Sequence, residues 1–139
     1  MKRLIAVVGV LWTGAMMAQH LGNRPEQGPT GAAPAIIGDW KGASICQEKE
    51  SPCNNENVVA HITRGSGRDS FVVQLNKVVE GVEYPNGEVT CLVGAASGST
   101  LCRDGADRLW RWKLEGGVLN ATLIFKGQEY RKMALGRVK

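Results

Sequence analysis

The chain has 139 residues, 22% of them charged, with a formal net charge of +4 and 18 glycines. That length holds one domain around one core and excludes a multidomain enzyme or a long repeat array. An ordinary charged share excludes a disordered polyelectrolyte, and a glycine share of about 13%, against a usual share of about 7%, points to a chain punctuated by turns.

Residues 1–18 join a basic start (Lys2, Arg3), an apolar run from Leu4 to Trp12 and small residues before a cut after Ala18, the pattern of a cleaved secretory signal. The apolar run is well short of the roughly 20 residues that span a bilayer, and no later segment approaches that length. No membrane span is therefore expected after cleavage, and the mature protein is expected to be periplasmic or secreted. Without Lys2 and Arg3 the 17 basic residues fall to 15 against 13 acidic ones, a net charge of +2. These charges are scattered rather than gathered in a stripe, which argues against a nucleic-acid partner. Residues 19–35 hold Pro25, Pro29 and Pro34 with Gly22, Gly28 and Gly31, and read as a flexible leader.

From Ile36 the pattern changes to short alternating runs rich in Val, Ile, Leu, Thr and Trp, and no segment keeps a helical apolar period for two turns. Eight strands are predicted: Gly38 to Ile45, Asn57 to Thr63, Ser70 to Val79, Glu88 to Gly94, Ser99 to Arg103, Arg108 to Leu114, Val118 to Phe125 and Glu129 to Arg137. Asn86-Gly87 and Gly116-Gly117 carry the strongest hairpin signals, because both can adopt the positive φ of tight turns. Strand parity turns Val58, Ala60 and Ile62, and Phe71, Val73 and Leu75, to one face. A two-residue turn at Gly116-Gly117 sets Trp110 against Leu123, Trp112 against Ala121 and Leu114 against Leu119. For the last strand two registers are open. A three-residue turn at Lys126-Gly127-Gln128 turns Arg131, Met133 and Leu135 inward, and a two-residue turn would turn Tyr130, Lys132 and Ala134 inward; the former buries the larger apolar residues.

The four cysteines belong to this meander. In an exported chain they pair, and proximity favours Cys46 with Cys53 and Cys91 with Cys102. The second pair lies on strands flanking Ala95-Ala96-Ser97-Gly98, and if Gly94 opposite Ser99 closes that loop, Cys91 and Cys102 face each other at a close, non-hydrogen-bonded position. The spacings do not suit zinc. The fold class is thus all-β, an eight-stranded antiparallel up-and-down meander closed into a small barrel with two disulfides, since closure removes exposed edges.

Gly38-Asp39-Trp40, at the start of the first strand, resembles the Gly-x-Trp that opens lipocalins and their calycin relatives. The chain is similar to a reduced lipocalin-like or avidin-like barrel of the small exported bacterial kind. The resemblance implies a barrel that binds a small apolar molecule in its mouth, with Trp40 at the closed end under an arginine of the last strand. Arg131 is the matching candidate and Arg137 the second, the contact being cation–π.

No catalytic constellation emerges. His61 falls by parity on the outer face, Glu80, Glu83 and Glu88 lie around a turn without a desolvating environment, and Asp104 and Asp107 lack the ligand spacing of a calcium loop. No cofactor or metal is expected, and Asn120-Ala121-Thr122, a glycosylation sequon inside a strand, is read as chance. Two non-catalytic functions fit. One is a binding module taking a small apolar or aromatic ligand in the barrel mouth, with Trp110, Trp112, Phe71 and Leu123 as walls and Ser44 as a polar contact. The other is a periplasmic protein–protein module, such as an inhibitor of a cell-wall lytic enzyme, acting through a loop at Ser97-Gly98-Ser99. A monomer is expected.

Overall fold

The structure is a computed structural model that describes residues 35–67, 69–92 and 99–139. Eight antiparallel strands follow one another around a closed barrel: β1 (Gly38–Cys46), β2 (Glu56–Arg64), β3 (Ser70–Val79), β4 (Val82–Leu92), β5 (Ser99–Asp104), β6 (Arg108–Glu115), β7 (Val118–Phe125) and β8 (Gln128–Arg137). Each strand pairs with its chain neighbours, and β1 pairs with β8 to close the ring. The expected signal and most of the leader lie outside the described residues, as does the Ala95-Ala96-Ser97-Gly98 loop. No helix among the described residues is long and apolar enough to cross a membrane.

The inward face follows the apolar alternation of each strand. Val58, Ala60 and Ile62 of β2, Phe71, Val73 and Leu75 of β3, and Leu119, Ala121 and Leu123 of β7 are all buried. Across the Gly116-Gly117 turn the register is Leu114↔Leu119, Trp112↔Ala121 and Trp110↔Leu123, so each large ring meets a smaller partner. Closure of β1 on β8 depends on a missing side chain. A Cβ at Gly42 would lie 2.1 Å from the Ala134 carbonyl oxygen, so only glycine lets the two backbones approach there.

Two turns depart from expectation, each because a bulge takes over what a turn was expected to do. The β3–β4 hairpin turns at Glu80-Gly81, with φ of 51° and 79° and Val79↔Val82 as the closing pair, so β4 begins at Val82 rather than Glu88. Asn86-Gly87 lies inside β4, where the register passes from Leu75↔Gly87 to Asn76↔Pro85 and leaves Asn86 as the extra residue. The last hairpin has a two-residue turn, Lys126-Gly127 at φ of 48° and 79°, closed by Phe125↔Gln128. Met133 and Leu135 are nevertheless buried, because a register shift makes Tyr130 an extra residue between Ile124↔Glu129 and Leu123↔Arg131 and reverses the parity of the strand beyond it.

Both disulfides form as paired by proximity, Cys46–Cys53 and Cys91–Cys102. The Cys91 and Cys102 Cα atoms are 4.5 Å apart, the spacing of a non-hydrogen-bonded antiparallel pair. This bridge joins β4 to β5 beside Leu92↔Leu101, the ladder pair between these strands among the described residues. By the loop-entropy model each bridge stabilises the fold by roughly 2 to 3 kcal/mol. Covalent pairing of all four cysteines fits an oxidising, non-cytoplasmic environment.

Candidate functional site

One end of the barrel is filled. Trp40, 1% exposed, donates its indole Nε1–H to the Ile36 carbonyl at 2.7 Å, and Ile36 is itself buried across that end. The guanidinium over the Trp40 ring belongs to Arg137, 4.3 Å from the centroid, and not to Arg131. Register explains the choice. Trp40 pairs with Arg137 across β1–β8, whereas Arg131 pairs with Cys46, six residues and roughly 20 Å further along β1. Arg137 also donates to the carbonyls of Ile37 and Ala35, tying the segment before β1 to the end of β8.

The other end opens into a cavity of about 550 Å³, within the range of small-molecule sites. Its apolar wall includes Val58, Leu75, Val89, Trp110, Leu123 and Met133, one or two from each of β2, β3, β4, β6, β7 and β8. Of the residues expected to line a ligand site, Trp110, Leu123 and Ser44 border this cavity. Phe71 and Trp112 do not line it: at 0% and 1% exposed they fill the core. Trp112 supports the cavity indirectly, its ring stacked 5.7 Å from that of Trp110 with 29° between planes, and its own Nε1 has no hydrogen-bond partner among the described residues.

Arg131 projects into this open end and is held on all sides. Its Nη1 donates to Ser44 Oγ at 2.8 Å and to Glu56 Oε2 at 3.1 Å. Its Nη2 donates to the Asn54 carbonyl at 3.1 Å and meets the sulfurs of Cys53 and Cys46 at 3.1 and 3.7 Å. The Cys46–Cys53 bridge thus supports the arginine that crosses the barrel mouth, and Ser44, fully buried, is its acceptor. Tyr130, the bulged residue, lines the same end, and its phenol lies 3.3 Å from Ser51 Oγ. A second pair, Asp104 and Arg108, faces across the β5–β6 turn at 3.8 Å and is largely solvated.

Glu56, Arg108 and Phe125 also line the cavity without being expected there from the sequence, and so does Asp104, which the sequence reading weighs only as a calcium ligand. Inward parity continued from Val58, Cys102, Trp110 and Leu123 reaches each of them, but polar residues at strand ends resemble ordinary rim residues.

On the outside of the barrel, His61 is bonded at both ring nitrogens. Nδ1 lies 2.7 Å from Asp39 Oδ1 and Nε2 lies 2.7 Å from Glu83 Oε2. Two carboxylate partners are both satisfied as acceptors only when both nitrogens carry protons, so the arrangement favours the imidazolium. The bond to Asp39, then that to Glu83, raises its pKa above the ordinary 6.5. Glu83 is held below its ordinary 4.5 by the Asn76 amide at 2.8 Å and by His61. The cluster ties β1, β2, β3 and β4 on their outer face, away from the cavity.

No family model matches the chain, and no curated protein matches it. Among solved structures, one of a mutant of the fluorescent protein UnaG is similar. The match has 16% identity and a TM-score of 0.44, and covers 75% of this chain and 96% of that one.

Proposed function

We propose that the protein is an exported, non-catalytic binding module that takes a small apolar or aromatic ligand in the open end of its barrel. The observation that carries this reading is the cavity of about 550 Å³ whose apolar wall includes Trp110, Leu123 and Met133. In this reading residues 1–18 are a signal peptide, residues 19–35 a leader, and the mature protein is a periplasmic or secreted monomer of a lipocalin-like subgroup. Trp110, Leu123 and Ser44 touch the ligand or its immediate support, and Trp112 and Phe71 hold the wall behind them.

Native mass spectrometry of protein taken from its own compartment tests the reading. A reproducible small-molecule adduct that quenches tryptophan fluorescence on rebinding is expected. A clean apo mass together with a co-purifying protein would overturn it in favour of the second reading, a periplasmic protein–protein module such as an inhibitor of a lytic enzyme. That second reading is favoured by one observation: Val79, Val82 and Tyr84 at the β3–β4 hairpin are 43%, 53% and 51% exposed.

A further inference from the structure

Every inward charge at the open end of the barrel has a partner of opposite sign. The parities set by Val58, Met133, Cys102 and Trp110 direct four charged residues inward: Glu56, Arg131, Asp104 and Arg108. They form two pairs, Arg131–Glu56 at 3.1 Å and Arg108–Asp104 at 3.8 Å. The remaining charged residue at the cavity, Glu88, is exposed and alternates with the inward Val89, which places it on the outer margin of β4.

Arg131 decides the matter, because a lone guanidinium among apolar walls would serve a carboxylate or phosphate ligand. Here its Nη1 is committed to Ser44 and Glu56, and its Nη2 to the Asn54 carbonyl and the disulfide sulfurs. With side-chain exposures of 14% and 22%, Arg131 and Glu56 are only partly screened by water, so separating them to admit an anion would leave a half-buried carboxylate unpaired. An anionic ligand would have to displace that carboxylate, and a cationic one would have to displace the guanidinium. At this pair either would lose its hydration without gaining a free partner.

We infer that the cavity selects an uncharged ligand, an apolar or aromatic molecule whose polar groups only donate or accept neutral hydrogen bonds. This rests on the reading of the cavity as a ligand site and names the class of molecule that the site takes. Glu56 acts as the main specificity residue, cancelling the little-exposed Arg131, while Asp104 offsets the solvated Arg108 more weakly across 3.8 Å.

The test uses three fluorescent probes of similar ring size on the oxidised barrel. N-Phenyl-1-naphthylamine is neutral, 8-anilino-1-naphthalenesulfonate is anionic and 1-naphthylmethylammonium is cationic. The neutral probe is expected to bind more tightly than either charged one by roughly tenfold or more. Glu56→Gln leaves Arg131 without its counter-charge, and should raise the affinity for the anionic probe relative to the neutral one by roughly tenfold. Should Glu56→Gln fail to fold, Asp104→Asn at the more exposed pair shifts the same ratio in the same direction by a smaller factor. Wild-type preference for either charged probe, or a ratio unmoved in the folded variant, would overturn the inference while leaving the cavity a binding site. Binding of none of the three would instead overturn the cavity reading itself.

Discussion

Arg137 and Trp40 face each other across the strand pair that closes the barrel, the guanidinium 4.3 Å from the ring centroid and also bonded to the carbonyls of Ile37 and Ala35. One side chain therefore covers the core and anchors the chain as it enters the first strand. Arg137→Ala should lower stability by roughly 1–2 kcal/mol, with Arg137→Lys intermediate, because lysine keeps the charge over the ring but loses the forked donors. Urea titration of the two variants measures the difference. Equal midpoints for the alanine variant and the wild type would show that the contact contributes nothing.

Stability should depend on pH through His61. Its pKa is raised in the fold, so its contribution is complete below the ordinary 6.5 and is lost as pH rises through the higher folded value. Glu83 is lowered, so its contribution is present above 4.5 and is lost as pH falls through the lower folded value. Stability from the cluster is therefore greatest between these limits and declines on the alkaline side. His61→Gln should flatten that alkaline decline in thermal melts across pH 5–9, and an unchanged slope would remove His61 as its source.

The two disulfides should fail differently. Replacing Cys91 and Cys102 by alanine removes the covalent link between β4 and β5, and should cost roughly 2–4 kcal/mol with faster amide exchange concentrated in those strands. Replacing Cys46 and Cys53 by serine should cost less. Its mark should be at the cavity, because the 47–55 segment that supplies the Asn54 carbonyl to Arg131 loses its tether.

Gly42→Ala should be the most damaging of the small substitutions. The added methyl would meet the Ala134 carbonyl at 2.1 Å, and because that contact is backbone, relief requires β8 to move away from β1. A loss of roughly 3 kcal/mol or more is expected, at the severe end of overpacking, read as a lowered melting temperature or failure to fold. Gly136→Ala, where no atom lies within 4 Å of the added carbon, should change stability little.

Two tryptophans separate wall from support. Trp110 lines the cavity, whereas Trp112 stacks behind it with an indole N–H unpartnered among the described residues. Trp112→Phe removes that N–H and some packing, so the two changes oppose each other and the net cost should stay within roughly 2 kcal/mol. Ligand-induced quenching should survive Trp112→Phe and be lost in Trp110→Phe. Quenching lost in both would place the ligand deeper than the cavity.

Much of this barrel was legible in the alternation of the strands. The register of β6 on β7 follows from two glycines and the need to keep Trp110 and Trp112 on one face. The Cys91–Cys102 pair follows from register and the distance that a bridge demands. The misread turns have a common cause: a non-glycine residue at positive φ, Glu80 or Lys126, leaves little trace in composition, while an Asn-Gly pair advertises a turn even where it forms a bulge. At the site, parity showed which residues point inward but not at which height. Arg131 and Arg137 share a face of β8, and only the registry of β1 on β8 assigns one to the capped end and the other to the mouth.

The disulfide that joins β4 to β5 has a topological consequence. The two ends of the barrel chain are already neighbours, Gly38 lying against the Arg137 guanidinium, so a short linker could connect them without crossing the structure. New termini placed between Leu92 and Ser99 would then interrupt the chain where the Cys91–Cys102 bridge holds the flanking strands together. A circular permutant running from β5 round to β4 would keep every other ladder intact, with its covalent clasp acting as the closure that β1 and β8 provide in the natural order.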